Sequence, residues 1–280
     1  MSRGVREQLR GVVPDSLLDL VPKSFDVIGS KQKAVAIIEV PEEIRGHEEA
    51  IAQAVMRVQK NVASVLSKES GRAGEFRTRE MRLITGDPDT EVLHRESGCA
   101  FRLDPRTVYF SPRESQERGR IASATADGED VLVMFSGVGP LPIRIAKQRP
   151  HVHATAIELN PYAHNYCVEN VHLNRVGDRV DAILGDVREV ARSLDRQYDR
   201  ILMPLPKGAY MFLDVAVPLL RDGGVLHFYH WAPSEDFYGE AEELVKAAFR
   251  KEGREAVVTD RFRVSQFSPR DSKVRIDAVG

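Results

Sequence analysis

A chain of 280 residues, 42% hydrophobic and with a formal net charge of −2, has ample apolar content for a packed interior but lacks the positive field of a general nucleic-acid binder. No stretch reaches the roughly 18 uncharged apolar residues of a membrane span, and MSRGVREQLRG has no apolar signal core, so a soluble, cytoplasmic protein is expected. The two cysteines, Cys99 and Cys167, have no CxxC spacing and suggest neither a disulfide framework nor a thiolate zinc site, but two reduced, buried thiols.

In chain order, REQLRGVVPDSLLDLV predicts a helix. FDVIGSKQKAVAIIEV predicts a hairpin turning at Gly29 and Ser30, and EEIRGHEEAIAQAVMRVQ an amphipathic helix. EFRTREMRLI and TEVLHRESGCAFRLD, parted by the turn-rich GDPD, read as antiparallel strands. Residues 61–120 hold eleven basic and ten acidic side chains, and ten of the eleven are arginine, which suits bidentate phosphate contacts as well as a salt-bridged surface.

After a helix over Ser115 to Ala126 the pattern alternates. VLVMF, HATAIEL, VDAILG, DRILMP and GVLHFYH are short apolar runs, separated by helical segments at Leu141–Lys147, Pro161–Leu173, Gly208–Leu220 and Asp236–Arg250. Such alternation implies a doubly wound α/β fold with a mostly parallel sheet, and AVVTDRFRV with KVRIDAV suits an antiparallel terminal hairpin. The expected organisation is a small α+β domain over 1–112, contributing to RNA or active-site contacts, and a Rossmann-like domain over 113–280.

Directly after the first run of that second part, Ser136-Gly137-Val138-Gly139-Pro140 offers a tight turn at a helix N-terminus. The third glycine of the dinucleotide fingerprint is absent, which counts against a nicotinamide enzyme. Glu158, nineteen residues after Gly139, can accept hydrogen bonds from both hydroxyls of a ribose, and Asp186 in GDVRE can meet an adenine amine. Asp186 taken alone reads more readily as a helix cap. Together these residues mark one crevice at adjacent strand ends.

From about Phe25 onward the chain resembles the archaeal and eukaryotic tRNA (guanine-37-N1)-methyltransferases. The resemblance is carried by GEFRTRE (74–80), VYFSPRESQERGRI (108–121), MFSGVGP (134–140), IELNPYA (157–163), ENVHLNRVGDRV (169–180), GDVREV (185–190), LPKGAYMFLD (205–214), GGVLHFYH (223–230) and FSPRD (267–271). It implies a class I methyltransferase fold, S-adenosyl-L-methionine as cofactor, tRNA as partner, methylation of guanosine N1, and no metal or membrane. A monomer is expected. A related enzyme of the wybutosine pathway transfers the aminocarboxypropyl group of the same cofactor and normally lacks the LPK tripeptide present at Leu205–Lys207. A non-catalytic RNA-binding relative is a third reading, against which stands the retention of Arg77, Glu117, Glu158 and Asp186 together.

Methylating N1 requires loss of a proton while negative charge develops toward O6, so a base and a cationic donor are needed. By resemblance Glu117 is the base and Arg77 the donor, with Pro204 the third catalytic position. The cofactor falls to Arg113, Phe135, Gly137, Gly139, Glu158, Leu159, Asp186 and Val187. Arg118, Leu205, Pro206 and Lys207 face the RNA substrate, with Arg118 and Arg113 touching phosphate or ordering the active-site loop. Read without the family, Glu117 and Arg118 are ordinary residues on an exposed helix face. The chain departs from the family at Pro204, where an asparagine is usual, and at Val133, where an aspartate is usual. His151-x-His153 and His227-x-x-His230 lack the partners that would make a zinc site. Phe228, Tyr229 and Trp231 are expected as packing and rim residues, one of them stacking on a flipped base.

Overall fold

The computed structural model describes residues 4–69, 79–266, 268 and 270–280. Two compact units divide the chain, Met1–Pro112 and Arg113–Gly280. Among the described residues no helix is long and apolar enough to cross a membrane.

In the first unit α1 (Val5–Gln8) is a single turn, followed by a 3-10 turn at Asp15–Leu20. The long helix expected from the opening sequence is therefore broken: Gly11 adopts φ 78° and Pro14 removes a backbone donor, so neither position continues a helix. The strands β1 (Asp26–Gly29) and β2 (Ala34–Ile38) form the expected antiparallel hairpin. A 3-10 turn at Glu42–His47 leads into α2 (Glu48–Val58), which crosses over to β3 (Val62–Lys68), parallel to β2. Ile51, Ala52, Ala54 and Val55 of α2 are buried, the inner stripe of an amphipathic helix. Antiparallel to β3 runs β4 (Met81–Gly86). The second alternating stretch does not pair with β4. It folds on itself as β5 (Val92–Glu96) and β6 (Cys99–Leu103), because Ser97 at φ 47° and Gly98 at φ 78° form the two-residue turn that strand twist favours.

In the second unit α3 (Ser115–Ala124) precedes β7 (Asp130–Met134), α4 (Pro140–Gln148), β8 (His153–Glu158), α5 (Pro161–Leu173) and β9 (Val180–Leu184). The short α6 (Val187–Ala191) leads to β10 (Tyr198–Met203), α7 (Leu213–Leu219), β11 (Leu220–Pro233), α8 (Gly239–Lys251), β12 (Val257–Gln266) and β13 (Asp271–Val279). The helix expected from Gly208 opens as a 3-10 turn over Ala209–Phe212, and the one expected from Asp236 starts at Gly239, whose N–H Asp236 accepts at 2.8 Å. The seven strands lie in the order β12-β13-β11-β10-β7-β8-β9. Five are parallel, and β13 runs antiparallel between β11 and β12.

Alternation along each strand divides the sheet into two faces. On one face Met134, Met203, Phe228 and Ile276 join Leu213 of α7 and Phe249 of α8 in a continuous apolar core. The other face carries Arg200, His227, Tyr229, Lys273, Arg275 and Asp277, all at most 7% exposed. KVRIDAV alternates like a strand with one wet face. Here the polar face is buried as well.

Candidate active site

At the end of β7 the chain turns sharply. Phe135 takes φ 59°, a left-handed conformation that costs a non-glycine residue on the order of 1 kcal/mol or more. Its ring packs edge-on against Phe212, centroids 5.0 Å apart. Gly137 (φ 58°) and Gly139 (φ 81°) complete the turn into α4. A Cβ on Gly139 would sit 2.7 Å from the Cys167 Sγ, so only glycine fits. From α5, buried Asn170 donates through Nδ2 to the Val138 carbonyl at 3.0 Å and fixes the loop from below. Burial of Cys167, with the nearby Glu158 charge, pushes its thiol up to about 12.

Glu158 closes this turn. Its Oε2 accepts the Gly137 N–H at 2.7 Å and its Oε1 the Asn160 N–H at 2.9 Å. Burial raises its pKa, while the backbone N–H groups of Asn160, Gly137 and Leu159 pull the other way. Each carboxylate oxygen still has a lone pair to offer, the geometry a vicinal diol needs. Leu159 is half-buried beside it, and Asn160 caps α5 by accepting the Tyr162 N–H at 3.0 Å. Glu158 pairs with Leu184 across β8 and β9, which puts Asp186 at the neighbouring strand end. Asp186 is also a helix cap, accepting the Arg188 N–H through Oδ1 at 2.7 Å. Val187 is 4% exposed with its side chain in the core, so only its backbone is offered to a ligand. Val133 is fully buried in β7.

Glu117 and Arg118 are 4% and 5% exposed, which overturns the reading of an exposed helix face. The Tyr229 hydroxyl donates to Glu117 Oε1 at 2.8 Å, and Arg275 donates to the same oxygen. Arg120 Nε donates to Oε2 at 2.9 Å. Arg275 also clasps Asp277 through Nε and Nη2, at 2.7 and 3.0 Å. Asp277 Oδ1 lies 2.6 Å from His227 Nδ1, and Arg200 contacts His227 Nε2. An arginine cannot accept a proton bond, so Nε2 is the bare nitrogen and Nδ1 carries the proton toward Asp277. Burial, foremost, lowers the His227 pKa, in keeping with that neutral ring. Arg200 ends the chain in a two-pronged grip on Glu129, at 2.6 and 2.9 Å.

The segment after β10 is half-buried at Pro204, Leu205 and Pro206 and exposed at Lys207, with Gly208 at φ 92°. The Trp231 N–H donates to the Pro206 carbonyl at 3.2 Å and ties the segment to β11. Phe228 and Tyr229 are at most 2% exposed and have no face free for a base, leaving half-buried Trp231 from that trio. Arg113 is exposed in the turn at Pro112–Glu114 just before α3. Of the two roles expected for Arg118, burial suits loop ordering rather than phosphate contact. Arg77 lies outside the described residues. No group of residues among those described is arranged to hold a metal ion. Sequence reasoning missed Tyr229 as a Glu117 partner, and it missed Arg275, Asp277, Arg200 and Asn170 altogether. The polar alternation Lys273, Arg275, Asp277 was a signal, but nothing local says that a helix covers it.

The strand order, the left-handed glycine turn and the carboxylate ending the second parallel strand define the fold of a class I methyltransferase. Residues 92–257 match the TRM5/TYW2 methyltransferase domain, and residues 5–90 match the TYW2 N-terminal domain. The chain is 42% identical to the tRNA (guanine(37)-N(1))-methyltransferase Trm5b of Pyrococcus abyssi, over 95% of this chain and 77% of that protein. The crystal structure of P. abyssi Trm5b superposes with a TM-score of 0.85 at 41% identity, covering 95% of this chain and 78% of that one. A structure described as the complex of aTrm5 and tRNALeu gives 0.85 at 28% identity, covering 100% and 78%. P. horikoshii TYW2 in complex with MeSAdo gives 0.81 at 28% identity, covering 98% and 97%. The chain is a member of the TRM5/TYW2 family.

Proposed function

We propose that the protein is a tRNA (guanine-37-N1)-methyltransferase that uses S-adenosyl-L-methionine in the cytoplasm. The observation that carries this reading is 42% identity with a methyltransferase of that name over 95% of the chain. The residues present fit the cofactor: Glu158 keeps an acceptor on each oxygen for the ribose, and Gly139, where a Cβ would sit 2.7 Å from the Cys167 Sγ, lets the chain turn tightly into α4 beside it. Asp186 and the Val187 backbone are assigned to the adenine, and Phe135, Leu159 and Arg113 to the walls. When bound, the cofactor supplies a methyl group on a sulfonium.

The chain's own part is to prepare N1. Glu117 takes the N1 proton and leaves the N1–H electron pair on the ring, free to accept the methyl group that the bound cofactor would supply as an electrophile. Arg77 is assigned to the developing O6 charge on its motif alone. Leu205, Pro206 and Lys207 are assigned to the target nucleoside, and with Pro204 lacking a side-chain donor the base is held by backbone there.

One observation favours a second reading. Residues 5–90 match the N-terminal domain of TYW2, and the chain spans 92% of a P. horikoshii tRNA(Phe) (4-demethylwyosine(37)-C(7)) aminocarboxypropyltransferase to which it is 30% identical. Mass spectrometry of nucleosides from unmodified tRNA incubated with protein and cofactor separates the two. A methyl increment on guanosine supports the first reading. No methyl increment, with an aminocarboxypropyl increment on tRNA carrying 4-demethylwyosine, replaces it with the second.

A further inference from the structure

Glu117 is held by residues far from it in sequence, and the two oxygens of its carboxylate are held differently. Oε1 receives the Tyr229 hydroxyl at 2.8 Å and the Arg275 guanidinium, which fills both of its lone pairs. Among the described residues Oε2 receives only Arg120 Nε, at 2.9 Å. The Arg275 side chain is 2% exposed, whereas that of Arg120 is 42% exposed, so Oε2 is held by the more exposed of the two cations.

The inner partners are themselves braced. Tyr229 and Arg275 are directly opposed across β11 and β13, and so are His227 and Asp277. The Arg275 guanidinium lies 4.2 Å from the centroid of the Phe262 ring on β12, and the Lys273 ammonium lies 4.9 Å from that of Tyr229 while pairing with Glu114. Behind Arg275 the chain continues through Asp277, His227 and Arg200 to Glu129. Replacing such a buried charged chain by apolar side chains is often neutral or stabilising, so stability alone is a weak reason for its presence. A need to fix one carboxylate in one orientation is a better one.

We propose that Tyr229 and Arg275 are positioning residues that lock Glu117 through Oε1 and leave Oε2 to take the proton from the substrate. The proposal rests on the reading of Glu117 as base. Tyr229 stays a neutral donor throughout, since burial, and then the Glu117 charge, raises its pKa well above the ordinary tyrosine value. Arg275 stays a cation, because the Glu117 and Asp277 carboxylates beside it outweigh the burial that would lower its pKa. Among the described residues, the charged and titratable groups that hydrogen-bond to Glu117 are Arg120 from its own helix, Tyr229 from β11 and Arg275 from β13.

The test is single-turnover methyl transfer to a guanosine-37 tRNA transcript as a function of pH, for Glu117→Gln, Tyr229→Phe, Arg275→Lys and the doubles with Glu117→Gln. Tyr229→Phe removes one oxygen atom and keeps the packing, so it carries the test even if Arg275→Lys fails to fold. Its rate is expected to fall about 5- to 10-fold, the effect of one buried hydrogen bond, with tRNA half-saturation and cofactor affinity unchanged. In the Glu117→Gln background Tyr229→Phe changes nothing further. If Glu117→Gln is slow but Tyr229→Phe multiplies its loss, the base stands and the positioning role falls. Near-normal transfer by Glu117→Gln overturns the base, and the proposal with it.

Discussion

Replacing Glu158 by alanine removes the group on which the cofactor turn closes, and the structure fixes what is lost. Two backbone donors, Gly137 N–H and Asn160 N–H, lose their acceptor, and so do the two hydroxyls of a bound ribose. Water reaches part of the space, so the net cost lies below the sum of four bonds. About 1.5–3 kcal/mol is expected, the range for hydrogen bonds to a charged group, or about 10- to 150-fold in Kd at roughly 1.4 kcal/mol per factor of ten. Titration calorimetry with S-adenosylmethionine, S-adenosylhomocysteine and adenosine should show the same loss for all three, because the ribose is common to them. Glu158→Gln keeps one acceptor and should lose less. Thermal melting supplies the counter-check. Because the folded-state pKa of Glu158 is raised, its stabilising contribution is full below its unfolded value and is lost as pH rises through the folded one. At neutral pH the ionised group is a cost to the ligand-free fold, so Glu158→Gln should melt no lower than the parent protein at pH 7. Unchanged adenosine affinity in Glu158→Ala, or a loss confined to the methionine-bearing ligands, would refute the placement of the ribose.

Gly139→Ala forces a Cβ into a left-handed position 2.7 Å from the Cys167 Sγ, and should lower the melting temperature and weaken cofactor binding at least about 10-fold. Adding Cys167→Ala should recover part of that loss by calorimetry, and no recovery would exclude the clash as its cause. The Cys167 thiol, at about 12, should not react with a disulfide reagent at pH 8 until the protein unfolds. Labelling at the rate of a free thiol would contradict the burial. His227, neutral when folded because its pKa is lowered, stabilises the fold above its unfolded value of about 6.5 and ceases to as pH falls below it. Urea melts between pH 7.5 and 5 should show falling stability that flattens in His227→Gln, and an equal slope in both proteins would assign the pH dependence elsewhere.

The turn at Ser136–Pro140 and the acidic residue ending the next strand lie close together in the chain, and each apolar run or helical segment of the alternation is a local signal of its own. The sequence by itself therefore determined the doubly wound fold, the cofactor turn and Glu158. Local signals also carried the hairpin at Gly29, but the Ser97-Gly98 turn is as local and lay inside a stretch that reads as one strand until its two left-handed residues are seen. Asp186 shows how one side chain satisfies two readings, since capping α6 occupies only Oδ1. Contacts between distant segments are another matter. Glu117 meets Tyr229 and Arg275 across 112 and 158 residues, and nothing near any of the three specifies that meeting. It exists because β13 runs antiparallel between β11 and β12 and places Arg275 opposite Tyr229. A polar strand face reads as solvated until the layer above it is known. Only the tertiary structure decided that the face is dry, and burial is what makes Glu117 a fixed carboxylate instead of a surface charge.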